Sequence, residues 1–319
     1  MAIDTPNQKP SQSDKTFSPS TGRDVYTQLN YYRDPGDGSA PIPVVVGSGK
    51  VSNERPTVPV SVIIRDMTGR EDYYNLDSHG FQLVHHESQE KDFVDELRVN
   101  GAYYTEMEQL YKQATGATRV VIFGHRVRRG PSDWHRLGEG NAKNPGPLHR
   151  VHVDQSYAGA ELVARQHLPA DEAETLTRRD QGSSRSSSSR SSSNSPRRWQ
   201  IVNAWRPIRT VRKDPLAVVD GRSVEETDLA EASVMYRDGS SGAELLKSQT
   251  WAVRPAGERH QWFFKREQKP DEVLLIKCFD SLEEEGVVRR APHCAFVDPE
   301  AVDEPSRESV EVRALLFYD

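Results

Sequence analysis

Nine short runs of β-branched and aromatic residues punctuate this chain, each bounded by Pro, Gly or polar turn residues. They are Val58–Arg65, Arg119–Gly124, Leu148–Asp154, Trp199–Arg206, Leu216–Val219, His260–Phe264, Val273–Phe279, His293–Val297 and Val310–Tyr318. Strands this short are not stable singly, so they must pair into sheets that share a core. Helical signals sit mainly ahead of the third run. Tyr103, Met107, Leu110 and Tyr111 share one helical face before Gly116, and Gln89–Arg98 reads as a second helix. Ser156 is placed to cap a third helix that runs to His167, ahead of Pro169. Early helices followed by many strands predict a mainly β (α+β) fold, an antiparallel barrel or jelly roll on a helical N-terminal support.

The chain is polar for its length: 319 residues, 35% hydrophobic, with a mean hydropathy of -0.75. Much of the excess lies in one tract, where Ser183–Ser195 holds ten serines in thirteen residues and Arg178, Arg179, Arg197 and Arg198 flank it. Such a segment cannot bury enough apolar surface to offset its ordering entropy. It reads as a disordered Arg/Ser-rich loop at about 178–198, an insertion rather than an RNA-binding tail. Residues 1–20 read as a disordered tail, which leaves 21–319 as a single domain.

A net charge of -6 argues against a nucleic-acid binder. No apolar run is long enough to span a bilayer, and no hydrophobic leader opens the chain. Two cysteines, Cys278 and Cys294, fit a reducing, cytoplasmic compartment and are too few for a cysteine-built zinc site. Any metal must therefore use histidine and carboxylate ligands.

Val44–Lys50 imitates a phosphate loop, but Val44 stands where the first Gly belongs and Val51 where Ser or Thr belongs. No G-x-G-x-x-G turn and no G-x-S-x-G elbow follows a strand. Of the ten histidines only His152 stands two residues before an aspartate, Asp154. On a strand these two side chains share a face, with Val151 and Val153 on the other. They supply two-thirds of a 2-His-1-carboxylate triad, the ligand set of non-haem Fe(II) oxygenases. His293 opens a later strand and is the candidate third ligand.

Arg307 and Ser309 share a face at the start of the last strand. A guanidinium fork beside a hydroxyl suits the distal carboxylate of 2-oxoglutarate. Arg313 lies on the same face and is the alternative anchor. Arg150 shares the face of His152 and Asp154 and either borders a substrate or forms an ion pair. His149 and His260 read as structural. Arg126, Arg128 and Arg129 are either a solvated basic face or recognition groups for an acidic substrate. Asn203, Trp205 and Arg206 form a polar-aromatic cluster that borders a pocket or packs in the core. Parity puts Arg206 opposite the other two unless a bulge intervenes.

At these residues the sequence resembles the fungal non-haem Fe(II)/2-oxoglutarate-dependent oxygenases, a family that includes gibberellin desaturase, aspergillic acid hydroxylase and cephem methoxylase subunit-like proteins. The resembling segments include Leu76–Leu83, Tyr103–Arg129, Arg150–Ser156 (RVHVDQS), Trp199–Ile208, Asp271–Ser281, Ala291–Pro299 and Ser306–Tyr318. One residue, Ser306, is inserted between Pro305 and Arg307 relative to the family's PRES-type segment, and the Arg/Ser tract looks foreign to it.

The resemblance implies a cupin-like double-stranded β-helix with Fe(II), 2-oxoglutarate and O2. His152, Asp154 and His293 would hold iron, and Arg307 with Ser309 the cofactor carboxylate. It implies hydroxylation, desaturation or oxidative cyclisation of a small organic molecule in specialised metabolism. The competing reading is a non-catalytic β-barrel that binds a ligand or partner.

Overall fold

The computed structural model describes residues 22–47, 49–177, 197–237 and 243–319. The expected disordered tail and most of the Arg/Ser tract lie outside the described residues. In chain order the strands are β1 (Val25–Tyr32), β2 (Val44–Val46), β3 (Val51–Ser52), β4 (Thr57–Asp66), β5 (Phe81–His85), β6 (Arg119–Arg128), β7 (His152–Val153), β8 (Trp199–Pro207), β9 (Leu216–Val219), β10 (Leu229–Arg237), β11 (Glu244–Val253), β12 (Trp262–Phe264), β13 (Glu272–Asp280), β14 (His293–Ala295) and β15 (Ser309–Phe317). They form two sheets. One has the order β5-β13-β8-β15-β6, and the other β1-β4-β12-β9-β14-β7-β11-β10-β2-β3. The mostly β expectation holds.

The five-stranded sheet is antiparallel throughout and covered on both faces. That explains why β8 and β13 are buried along their whole length. Val202, Ala204, Val312 and Ala314 point outward, onto the helix Tyr104–Thr115 through Met107, Leu110 and Tyr111. The opposite face carries Trp199, Ile201, Trp205, Leu274, Ile276 and Leu315 toward the ten-stranded sheet. At its β1–β4 edge the larger sheet curls over its own outer face, where Leu29 and Ile64 pack on Ala217 and Val219. Asn30 then bridges Arg150, just ahead of β7.

Several local readings change. The strands β1 to β4 precede the helices, so the helical support does not open the chain. Gln89–Arg98 is helical only at Glu96–Arg98. Before it, the Ser88 hydroxyl and the Glu90 carboxylate accept the amides of Glu90, Asp92 and Phe93, donors a helix would need. Leu148–Asp154 pairs as a strand only at His152–Val153. The helix capped by Ser156 does form, over Tyr157–His167, with the hydroxyl accepting from the Gly159 amide. β6 runs on to Arg128, so Arg126 and Arg128 belong to the strand rather than following it.

The return from the undescribed 178–196 stretch is anchored by buried charge. Asp280 and Lys277 are fully buried and pair at 2.7 Å. Arg198, the second described residue after that stretch, joins Asp280 at 2.6 Å, and Gln200 donates to the same carboxylate at 2.7 Å. Removing one partner of such a cluster strands the others without water. Asp280→Ala is expected to lower unfolding free energy by about 3–5 kcal/mol, read from the shift in urea midpoint at unchanged slope.

Candidate metal and cofactor site

β7 and β14 are hydrogen-bonded neighbours, and His152 is the cross-strand partner of His293. Residues directly opposite one another present their side chains to the same face. The two imidazole centroids therefore lie 4.5 Å apart. Asp154 follows on the same face, its Oδ1 3.3 Å from His152 Nε2. One ligand atom from each of His152, Asp154 and His293 fits within 4.8 Å of the others.

The donor set fits a divalent iron. His152 Nδ1 lies 2.8 Å from the carbonyl of Arg150, and His293 Nδ1 lies 3.2 Å from that of Ala291. A carbonyl only accepts, so each Nδ1 carries the proton and each Nε2 keeps its lone pair. Burial, with His152 beside it, pulls the His293 imidazole down to about 4, so it is neutral and ready to ligate at neutral pH. Burial works to raise the Asp154 carboxyl. Arg313, the His152 hydrogen bond and the two imidazoles outweigh it and hold the group well below the usual carboxylate range. Two imidazole nitrogens and one carboxylate leave positions for other ligands, as in a facial triad.

The other sheet supports this cluster. Asn203 Nδ2 on β8 donates to Asp154 Oδ2 at 2.8 Å, and an Arg313 guanidinium nitrogen on β15 sits 3.3 Å from the same oxygen. Arg313 is held in turn by Glu311 at 2.8 Å. Asn203 and Arg313 are themselves cross-strand partners, which is why both reach one oxygen. Sequence reading placed Asn203 at the pocket border. Its link to Asp154 depends on the packing of one sheet on the other, which local spacing does not show.

Arg307 lies near the start of β15 in a different setting. It is buried, stacks over the Trp205 ring with its guanidinium carbon 5.1 Å from the centroid, and donates from one terminal nitrogen to the Asp214 carbonyl at 2.6 Å. Asp214 holds a positive φ of 50°, unusual for a residue with a side chain. Arg307 Nε is buried with no hydrogen-bond partner among the described residues. Burial, with Arg128 nearby, lowers the guanidinium to about 10, which leaves it charged at neutral pH. Ser309 is buried in the paired start of β15.

Arg206 is not part of this cluster. Its guanidinium lies on the outer face, 3.1 Å from Tyr103 Oη and 2.7 Å from the carbonyls of His86 and Pro270. No bulge intervenes in the β8–β15 register, so parity alone turns it away from the chamber. Arg150 lines the chamber but makes no ion pair among the described residues; its terminal nitrogens donate to the backbone carbonyls of Arg55 and Asn53. His149 faces Asp214 at 3.2 Å, and His260 is buried between Tyr31 and Asp228. Arg129 pairs with Glu308 outside the chamber.

A cavity of about 380 Å³ opens beside His152 and Asp154. That lies in the range of small-molecule sites. Its walls include Phe123, Trp134, Val163 and Leu148, with Arg126 and Arg128 from β6, Arg313 from β15 and Lys247 from β11. β11 was missed in the sequence because ELLKSQTWAV alternates only weakly.

A fold of mostly β sheets around a His-Asp-His cluster defines an iron-dependent oxygenase class, and comparison with known proteins agrees. A family model described as an oxidoreductase/YMDC permease-like domain matches residues 29–317. The alpha-ketoglutarate-dependent dioxygenase phiK of a fungal species is 35% identical, over 91% of this chain and 95% of that protein. The hydroxylase/desaturase efuI of Hormonema carpetanum is 36% identical, over 92% of this chain and 95% of its own. A solved structure of the iron and alpha-ketoglutarate-dependent endoperoxidase NvfI aligns at TM-score 0.71 and 25% identity, covering 95% of this chain and 99% of that one. The chain belongs to the family of fungal Fe(II)/2-oxoglutarate-dependent dioxygenases and hydroxylase/desaturases. Membership favours oxidation over the non-catalytic binding barrel. No helix among the described residues is long and apolar enough to cross a membrane.

The His293 environment predicts a pH response of the metal-free protein. Its imidazole titrates near 6.5 when unfolded and about 4 when folded. The unfolded chain binds more protons between those values, so stability falls as pH drops through that window. Urea midpoints of chelator-treated protein are expected to decline between about pH 6.5 and about pH 4, with a shallower decline in His293→Leu.

Proposed function

We propose that this protein carries out Fe(II)- and 2-oxoglutarate-dependent oxidation of a small organic molecule in fungal specialised metabolism, by hydroxylation, desaturation or oxidative cyclisation. Residues 21–319 act as one oxygenase domain with a double-stranded β-helix core. The domain works in the cytoplasm, in keeping with two buried free cysteines. The observation that carries the reading is the convergence of His152, Asp154 and His293 with both Nδ1 positions tied to backbone carbonyls.

In this reading His152 Nε2, His293 Nε2 and the Asp154 carboxylate hold Fe(II). Asn203 and Arg313 keep the carboxylate ionised and fix its rotamer, since both grip Oδ2. Arg307 binds the distal carboxylate of 2-oxoglutarate, assisted by the Ser309 hydroxyl. Support for Arg307 over Arg313 comes from their partners. Arg313 is already committed to Asp154 and Glu311, whereas Arg307 has a buried Nε–H without an acceptor. A buried donor left unmatched is costly, and an incoming carboxylate would satisfy it. When bound, iron with 2-oxoglutarate and O2 supplies the oxidising power to break an unactivated C–H bond, with succinate and CO2 as co-products. The protein's part is to orient the substrate's C–H and to keep bulk water from the apolar chamber wall.

Anaerobic reconstitution with Fe(II) and 2-oxoglutarate is expected to give a weak visible charge-transfer band. His152→Ala should remove most bound iron, measured by metal analysis; retention of full metal content in that variant would sink the triad assignment. Arg307→Gln should keep iron but weaken 2-oxoglutarate binding by at least about tenfold, the scale of a lost charged hydrogen bond. Titration of the band reads that change.

A further inference from the structure

We propose that Arg126 and Lys247 form an anion-binding pole of the chamber, and that the substrate oxidised here carries a carboxylate seated between them. The proposal builds on the reading of the triad as the reaction centre. It adds the substrate's charge class and the two side chains that recognise it.

The chamber is far more cationic than the chain that forms it. Arg55, Arg126, Arg128, Arg150, Lys247 and Arg313 line it, and among the described residues Asp154 is the only acidic side chain doing so; Glu311, the cross-strand partner of Arg126, is already committed to Arg313. The chain as a whole has net charge -6. Such concentration of one sign in a concave, partly apolar site raises the local potential and draws anions.

Most of these cations have assigned work. Arg313 pairs with Asp154 and Glu311. Arg128 donates to the Gly146 carbonyl at 2.9 Å, and Arg55 to that of Ile42 at 3.0 Å. Arg150 braces the Asn53 and Arg55 carbonyls. These groups hold loops and strands. Arg126 and Lys247 make no side-chain hydrogen bond or ion pair among the described residues, yet both line the chamber. They approach from different sheets, Arg126 on β6 and Lys247 on β11. Burial, together with Arg126 and Arg313, lowers the Lys247 ammonium, the mark of a cation placed among cations. An anion between them would relieve that repulsion.

2-Oxoglutarate does not account for this pole. One carboxylate belongs at the metal, and the other is assigned to Arg307, which is absent from the chamber lining. Arg126 faces the chamber only because β6 carries a bulge. The β15 register shifts between Arg313 and Ala314, where Gly124 and Ile122 are the partners and Phe123 is the extra residue. Before the bulge Val120 and Ile122 face the outer helix, and after it Val127 does. Unbroken alternation through the same residues would point Arg126 away from Asp154.

The test uses the full chain, loaded anaerobically with Fe(II) and 2-oxoglutarate, and two fluorescent probes that share the naphthalene ring and differ in charge, 2-naphthoate and methyl 2-naphthoate. The acid is expected to bind at least about tenfold more tightly than the ester, with a preference that shrinks as salt rises. The double substitution Arg126→Gln with Lys247→Gln should abolish the preference and leave ester binding and the melting temperature unchanged. 2-Oxoglutarate affinity, read from the charge-transfer band in the same samples, should stay within about twofold. Equal binding of acid and ester to the wild type would overturn the proposal, as would a preference that survives the double substitution. Loss of 2-oxoglutarate affinity in that variant would also overturn it, by assigning the pole to the cofactor. Failure of the metal-site reading shows differently, as no charge-transfer band in the wild type.

Discussion

A carboxylate placed between two sheets must be paired or it will not stay ionised, and the site is arranged around that requirement at Asp154. Its backbone belongs to the ten-stranded sheet, just past β7. Its outer oxygen is gripped by Asn203 and Arg313 from the five-stranded sheet. This polar strap fixes the separation of the sheets where the ligands converge. It also orients the other carboxylate oxygen toward His152. Loss of either grip would loosen the carboxylate and the sheet contact together, since the two are the same interaction.

The site divides labour by strand. Neighbouring short strands of one sheet, β7 and β14, present the imidazoles side by side. The long strands β8, buried throughout, and β15, buried except at Arg313, supply the groups that hold Asp154. Rigid, doubly covered strands are suitable carriers for such supports, because their own register is fixed by packing on both faces. The helix Tyr104–Thr115 contributes at one remove, its Tyr111 hydroxyl lying 3.0 Å from the carbonyl of Val202 and 2.8 Å from that of Val312. These carbonyls flank Asn203 and Arg313 in sequence.

Much of this was legible in the sequence because it is written in local periodicity. The spacing of His152 and Asp154 and the cap at Ser156 each depend on residues a few positions apart. What was not legible depends on pairing between distant segments. The packing of one sheet on the other that brings Asn203 to Asp154 joins segments on opposite sides of the Arg/Ser tract. β10 and β11 were overlooked because LAEASVMYR and ELLKSQTWAV carry few consecutive β-branched residues, and pairing with each other rather than propensity makes them strands. Gln89–Arg98 had helical character, but side-chain carboxylates and a hydroxyl captured its amides first. Arg206 shows the converse. Simple alternation predicted its direction correctly, and grouping it by proximity in sequence was the error.

The bulge at Phe123 uncouples the two ends of β6. Unbroken alternation would tie the facing of Arg126 and Arg128 to that of Val120 and Val121 at the far end of the strand. The extra residue is absorbed at one point instead, so Arg126 and Arg128 keep the faces of their partners Glu311 and Ser309 while Val121 keeps that of Leu315. The end of the strand that lines the chamber is thereby phased independently of the end that packs on the helix. Ironing the bulge flat with every residue retained would turn both guanidinium groups out and His125 and Val127 in, with His152, Asp154 and His293 untouched.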